Sequence, residues 1–103
     1  MNIIKKISEE LNVKEWQVQA AVELIDEGCT IPFIARYRKE KTGSLNDEVL
    51  RNLGERLTYL RNLEEKKAQV ISAIESQEKM TPELKKQIEE AQTMVAVEDL
   101  YRP

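Results

Sequence analysis

The sequence predicts an all-α fold: a helical bundle with a helix-turn-helix-like amino-terminal part and one long helix paired with a shorter antiparallel helix. Apolar residues recur at three- and four-residue spacing along most of the chain, the period of one helix face. Aromatic residues make up only 5% and glycines number three, which leaves little material for β-architecture. No proline interrupts the stretch from Asn46 to Gln77, long enough for many helical turns. With 103 residues the chain suffices for a single helical domain, read as a helix-turn-helix-like part with a basic connector over 1–45 and a long helix, antiparallel helix and terminal apolar segment over 46–103.

Ile3, Ile4, Ile7 and Leu11 form the apolar side of a first short helix ending near Asn12. Asn12 followed by Glu15 has capping-box spacing and starts a second helix that runs to Gly28. Apolar residues from Trp16 to Ile25 cover more than half of its circumference, as expected of a helix sandwiched between neighbours. Two short helices across a tight turn resemble a DNA-reading pair. The second, however, exposes Glu15, Gln17, Gln19, Glu23, Asp26 and Glu27 beside the single cation Lys14, a surface that phosphates would repel. Helical packing without DNA reading is the better account.

Gly28 closes the second helix, and Thr30 with Pro32 opens the next segment. Ile31, Phe33, Ile34 and Tyr37 form an apolar cluster, with Phe33, Ile34 and Tyr37 expected to be buried anchors and Trp16 another. Arg36, Arg38, Lys39 and Lys41 follow, offset only by Glu40. They admit two roles. They can contact phosphates beside Tyr37, which can stack on a base. Alternatively, arginine stems pack on the core while their heads pair with acidic residues of neighbouring helices. Glu40 and the acidic chain favour the second role.

Ser44 or Asn46 can cap the long helix, with Asp47 and Glu48 suited to its amino-terminal dipole. Leu50, Leu53, Leu57 and Leu60 alternate like a coiled-coil seam, Glu64 and Lys67 continue it, and Val70, Ile71 and Ile74 resume the apolar stripe. At 1.5 Å per residue such a helix is about 45 Å long, so its halves must pack on different partners. Gly54 inside it costs about 1 kcal/mol relative to alanine, which the close approach of another backbone would justify. Thr81 and Pro82 start an antiparallel helix with Leu84, Ile88 and Ala91 on its apolar face. Met94, Val95, Val97, Leu100 and Tyr101 form a last apolar helix ending at Pro103.

Composition narrows the chemistry. There is no histidine, the one cysteine (Cys29) has no partner for a disulfide or a zinc cluster, and no glycine-rich phosphate loop is present. No catalysis, cofactor or metal is therefore expected. The longest apolar runs are a few residues, so no membrane segment is expected and cytoplasmic residence is the default. A net charge of −3 confines any nucleic-acid contact to a local patch.

Thr30-Ile31-Pro32-Phe33-Ile34-Ala35-Arg36-Tyr37-Arg38-Lys39-Glu40, followed by Thr42-Gly43, resembles the signature of the amino-terminal region of Tex-type transcription accessory proteins. Leu53, Glu55-Arg56-Leu57, Tyr59-Leu60-Arg61, Leu63-Glu64 and Val97-Glu98-Asp99-Leu100-Tyr101-Arg102-Pro103 are similar to its continuation, so the resemblance spans essentially the whole chain. The family usually continues from the Leu-Tyr-x-Pro pattern into a basic run, and the chain is read as an amino-terminal fragment of a longer protein.

The resemblance implies a transcription accessory factor that binds nucleic acid, with an architecture shared by a large eukaryotic elongation factor and histone chaperone. It implies as partners the downstream domains of the same protein, and transcription machinery. The family's contacts to nucleic acid belong to a carboxy-terminal S1 domain and helix-hairpin-helix elements, and a ribonuclease-H-like domain also lies downstream. None of these lies within this sequence.

Three functions follow as expectations. The first is a non-catalytic scaffold and docking module that binds nucleic acid only weakly by itself. The second is direct DNA or RNA contact through Arg36, Arg38, Lys39 and Lys41. The third is a coiled-coil oligomerisation module on Leu50 to Leu60. Self-association is also expected through exposed Val70, Ile71, Ile74, Leu100 and Tyr101.

Overall fold

The structure is a computed structural model and describes residues 2–101. Among the described residues seven helices follow one another: α1 (Ile3–Leu11), α2 (Glu15–Asp26), α3 (Ile31–Tyr37), α4 (Lys39–Thr42), α5 (Asp47–Ser76), α6 (Pro82–Glu90) and α7 (Met94–Tyr101). There is no strand among the described residues, and no described helix is long and apolar enough to cross a membrane. The described residues form two compact units, 2–59 and 60–101, with α5 contributing to both. The expected end of the last helix at Pro103 lies outside the described residues.

In the first unit, local chemistry sets each boundary. The Asn2 side chain accepts the Lys5 N–H at 3.0 Å and opens α1. Asn12 takes the left-handed conformation, φ 56°, and ends it, with the Val13 N–H donating back to the Ser8 carbonyl at 3.0 Å. Asn12 thus closes a helix and does not cap the next one. The cap of α2 is Lys14, whose N–H donates to Gln17 Oε1 at 3.0 Å. Only this half of a capping box exists, because a lysine side chain has no acceptor to offer in return.

Val18, Ala21, Val22 and Leu24 are buried on α2, while Trp16 at its start is 56% exposed, contrary to its expected place in the core. Trp16 stands outside because its indole lies over Gly43 in place of entering the bundle: a Cβ on Gly43 would come within 2.7 Å of the ring and 2.6 Å of Gln17 Nε2.

The long helix opens at Asn46, whose Oδ1 accepts the Val49 N–H at 2.9 Å. Ser44 is excluded as the cap because its own φ of 66° belongs to the turn that ends α4. Along α5 the buried positions are Leu50, Leu53, Leu57, Leu60, Leu63, Lys67, Val70 and Ile74. Leu63 therefore takes the place expected of Glu64. Two successive three-residue steps, Leu57 to Leu60 to Leu63, shift the phase of the stripe. Leu50, Leu53, Leu57 and Leu60 are none of them more than 3% exposed, so they are not available as an intermolecular coiled-coil seam.

In the second unit, Glu78 takes a left-handed φ of 57° and stops α5, and Thr81 Oγ1 accepts the Leu84 N–H at 3.1 Å to start α6. Lys67, buried within the stripe, donates from Nζ to the Glu89 carbonyl at 2.8 Å and lies 3.5 Å from Glu64 Oε1. The ammonium thereby satisfies one of the carbonyls that the end of α6 leaves without a helical partner. Lys67 and Glu89 flank the turn at similar separations, as antiparallel helices require. Ile88, Ala91 and Val97 are buried with Val70 and Ile74. Val70 and Ile74 are consequently core residues and not the exposed patch expected of them; Val95 and Tyr101, at 65% and 43% exposure, are the apolar residues left outside.

The glycines make opposite predictions. Gly43 combines a φ of +67° with the Trp16 and Gln17 contacts, so Gly43→Ala is expected to destabilise the chain by more than the about 1–2 kcal/mol of the left-handed conformation alone. Gly54 is approached by the Ile31 side chain and not by another backbone, and an added Cβ would sit 3.6 Å from Ile31 Cδ1, an ordinary contact. Gly54→Ala is expected to raise stability by about 0.5–1 kcal/mol through helix propensity. Urea unfolding of the two variants checks both signs.

Candidate functional site

The candidate site is built on α3 and α4. Thr30 Oγ1 accepts the Phe33 N–H at 3.3 Å and Pro32 occupies the first turn, which sets the helix in register. Ile34 then points inward and is fully buried, and Ile31 reaches the α5 backbone beside Gly54. Phe33 and Tyr37, one helical turn apart, fall on the opposite side, 37% and 57% exposed. The expectation that both rings are core anchors is corrected here: a helix of seven residues buries one stripe, and Ile31 and Ile34 fill it. The rings pack on each other, with centroids 5.3 Å apart and planes at 48°.

Each ring carries a guanidinium. Arg38 Cζ lies 5.0 Å from the Phe33 centroid and Arg36 Cζ 5.9 Å from that of Tyr37. Arg38 is held further by its Nη1, which donates to the Tyr37 carbonyl at 3.0 Å. Lys39 and Lys41 follow on the single turn of α4 and are exposed. Among the described residues no ion pair engages Arg36, Arg38, Lys39 or Lys41. The expected pairing of these arginines with neighbouring acids is absent; aromatic rings stand in for them.

Arg56 is the contrast. It lies 5.1 Å from the Tyr59 centroid, but its Nε and Nη2 donate to Glu10 Oε1 and Oε2 at 2.7 and 2.9 Å. That bidentate bond holds the Glu10 carboxyl below its usual range and raises the Arg56 guanidinium. Arg56 therefore fastens α1 to α5 and is engaged, whereas the four cations of α3 and α4 are not.

Gln17, which the sequence places only on the polar face of α2, ties the start of α2 to the end of α4. Its Nε2 donates to the Thr42 carbonyl at 3.1 Å and the Gly43 carbonyl at 3.2 Å, while Oε1 accepts from Lys14. No local pattern could have revealed a bond across about 25 residues, although the neighbouring Trp16 and the Thr42-Gly43 pair were already conspicuous. The arrangement offers fixed cations and ring edges on an open surface. Among the described residues no group of three metal-ligating side chains is assembled.

Residues 1–75 match the family described as the Tex-like protein N-terminal domain. The chain belongs to that family. It is 55% identical over 103 residues to transcriptional accessory protein Tex of Neisseria gonorrhoeae, covering 100% of this chain and 14% of that protein. Protein tex of Bordetella pertussis is 50% identical over 101 residues, 98% of this chain and 13% of that one. Human S1 RNA-binding domain-containing protein 1 is 30% identical over 102 residues, 99% of this chain and 10% of the human one. The Tex-like chain therefore spans 14% or less of the length of these relatives. Both α3 and α4 lie inside the matched region, so the exposed aromatic–arginine cluster is part of a Tex-like N-terminal domain.

Burial separates the roles of neighbouring residues in this segment. Ile34→Ala is expected to cost about 2–5 kcal/mol, as core truncations do. Tyr37→Ala, which loses mainly its ring partner and the cation above it, is expected to cost less than about 1.5 kcal/mol. Denaturant midpoints measured at constant slope check the difference.

Proposed function

We propose that this Tex-like chain is a non-catalytic, cytoplasmic helical scaffold and docking module of a nucleic-acid-binding transcription accessory factor. One observation supports the reading above others. The chain fixes two exposed aromatic rings and two guanidiniums on a short segment anchored from α2, and among the described residues no group of three metal-ligating side chains is assembled. Such a surface suits recognition of a partner and not turnover of a substrate. The names of the relatives, a transcriptional accessory protein and an S1 RNA-binding domain-containing protein, support nucleic-acid binding by the longer protein.

That no acid among the described residues pairs with Arg36, Arg38, Lys39 or Lys41 supports a second reading, direct contact of these side chains with DNA or RNA. The two readings separate in a titration of the 103-residue chain, beside the full-length protein, against DNA and RNA at two salt concentrations. The docking reading expects weak binding by the chain and tight binding by the full-length protein. Direct contact by four cations instead gives the chain a logarithmic salt slope of about −3 to −4, which flattens when all four are changed to glutamine. Binding by the chain as tight as by the full-length protein would overturn the docking reading.

A further inference from the structure

We propose that the aromatic–arginine face of α3 and α4 is a receptor for a short acidic peptide segment of a partner protein, one carrying a large apolar side chain between its carboxylates. The inference rests on the docking reading and names its ligand.

Charge supplies the first argument. Arg36, Arg38, Lys39 and Lys41 stand against one carboxylate, Glu40, within six residues, and none of the four is engaged by an acid among the described residues. Their complement is anionic. Geometry narrows the anion. The Arg38 guanidinium is fixed over Phe33 and tied to the Tyr37 carbonyl, and Arg36 lies over Tyr37. A planar fork held in place loses little freedom on binding and matches a carboxylate bidentately. The partly exposed rings beneath give an apolar side chain a place to lie between two such contacts.

A nucleic-acid strand fits less well. Stacking two successive bases asks for parallel, open ring faces, whereas these rings meet at 48° and each has a guanidinium over it. The patch is also bounded. Lys39 shares a shallow cleft with Ala35, Ser44, Leu45, Asp47 and Glu48, so a phosphodiester chain leaving the cluster that way meets two carboxylates. A short peptide with its acids placed over the arginines ends before that rim.

Fluorescence anisotropy of the 103-residue chain tests the assignment. The probes are a labelled peptide of aspartate and glutamate interrupted by a leucine–phenylalanine pair, the same peptide with serines in place of that pair, and oligouridylate and oligothymidylate. Saturable binding of the first peptide is expected, at least about ten-fold tighter than either the serine peptide or the oligonucleotides, a tenfold ratio being about 1.4 kcal/mol. Arg36→Gln with Arg38→Gln should weaken it about ten-fold or more, and Arg38→Lys, which keeps the charge and loses the fork, should weaken it as well. Lys85→Gln, on α6, should leave it unchanged, and circular dichroism should show every variant folded. No saturable peptide binding, equal binding of the serine peptide, or indifference to the arginine changes would overturn the inference. With weak oligonucleotide binding, those results leave the docking reading standing. Oligonucleotide binding by the chain as tight as by the full-length protein would overturn both.

Discussion

The first unit depends on one carboxamide. Gln17 accepts from the Lys14 N–H at the start of α2 and donates to two carbonyls, Thr42 and Gly43, at the end of α4. Both helix ends leave backbone groups without helical partners, and a side chain with an acceptor and a donor satisfies groups at both at once. At about 0.5–1.5 kcal/mol net per hydrogen bond, the three bonds are a sizeable part of a small domain's margin. Gly43 is the necessary counterpart, because the carboxamide and the Trp16 indole occupy the space a Cβ would take. Without this tie, α4 is a single turn with little of its own to hold it.

That tie explains why the charged surface is ordered at all. Arg38 interrupts the helical path between α3 and α4 with φ −128° and ψ 32°, and its own Thr42 neighbour is buried and bonded back to the Arg38 carbonyl. With Thr42 and Gly43 pinned by Gln17 at one end and Ile34 buried at the other, the intervening residues have a defined path. Phe33 and Tyr37 face outward as a consequence of that path. The guanidiniums of Arg36 and Arg38 settle over them for want of an acid, the reverse of the situation at Arg56, where Glu10 supplies one.

Much of the fold was legible because it is written in local chemistry. Thr30 and Thr81 ahead of prolines and a proline-free run with leucines at helical spacing have near-unique readings, and the helices follow them; of the two caps open to the long helix, Ser44 and Asn46, the structure uses Asn46. The errors share a cause: periodicity gives a face but not its partner. Phe33 and Tyr37 stand in one apolar cluster with Ile34, and Trp16 opens the apolar run of α2, yet only the packing of α3 against α5 and of Trp16 on Gly43 decides which of them is covered. Val70 and Ile74 are expected on an open surface because nothing in the sequence measures how much of the distal half of α5 is covered. The four cations were read from the sequence, but their freedom from acids was not, since that depends on which residues other helices bring near.

The central claim, that Gln17 holds the α3–α4 segment in the conformation that presents its rings and cations, is tested most directly by hydrogen exchange on Gln17→Glu. A carboxylate keeps an acceptor for Lys14 but turns an oxygen toward the Thr42 and Gly43 carbonyls. The Thr42 and Ser44 amides, bonded to the Arg38 and Lys39 carbonyls, are expected to exchange about ten-fold faster or more, while amides of α6 keep their protection. Unchanged protection at Thr42 and Ser44 would mean that the segment is held by something other than this side chain.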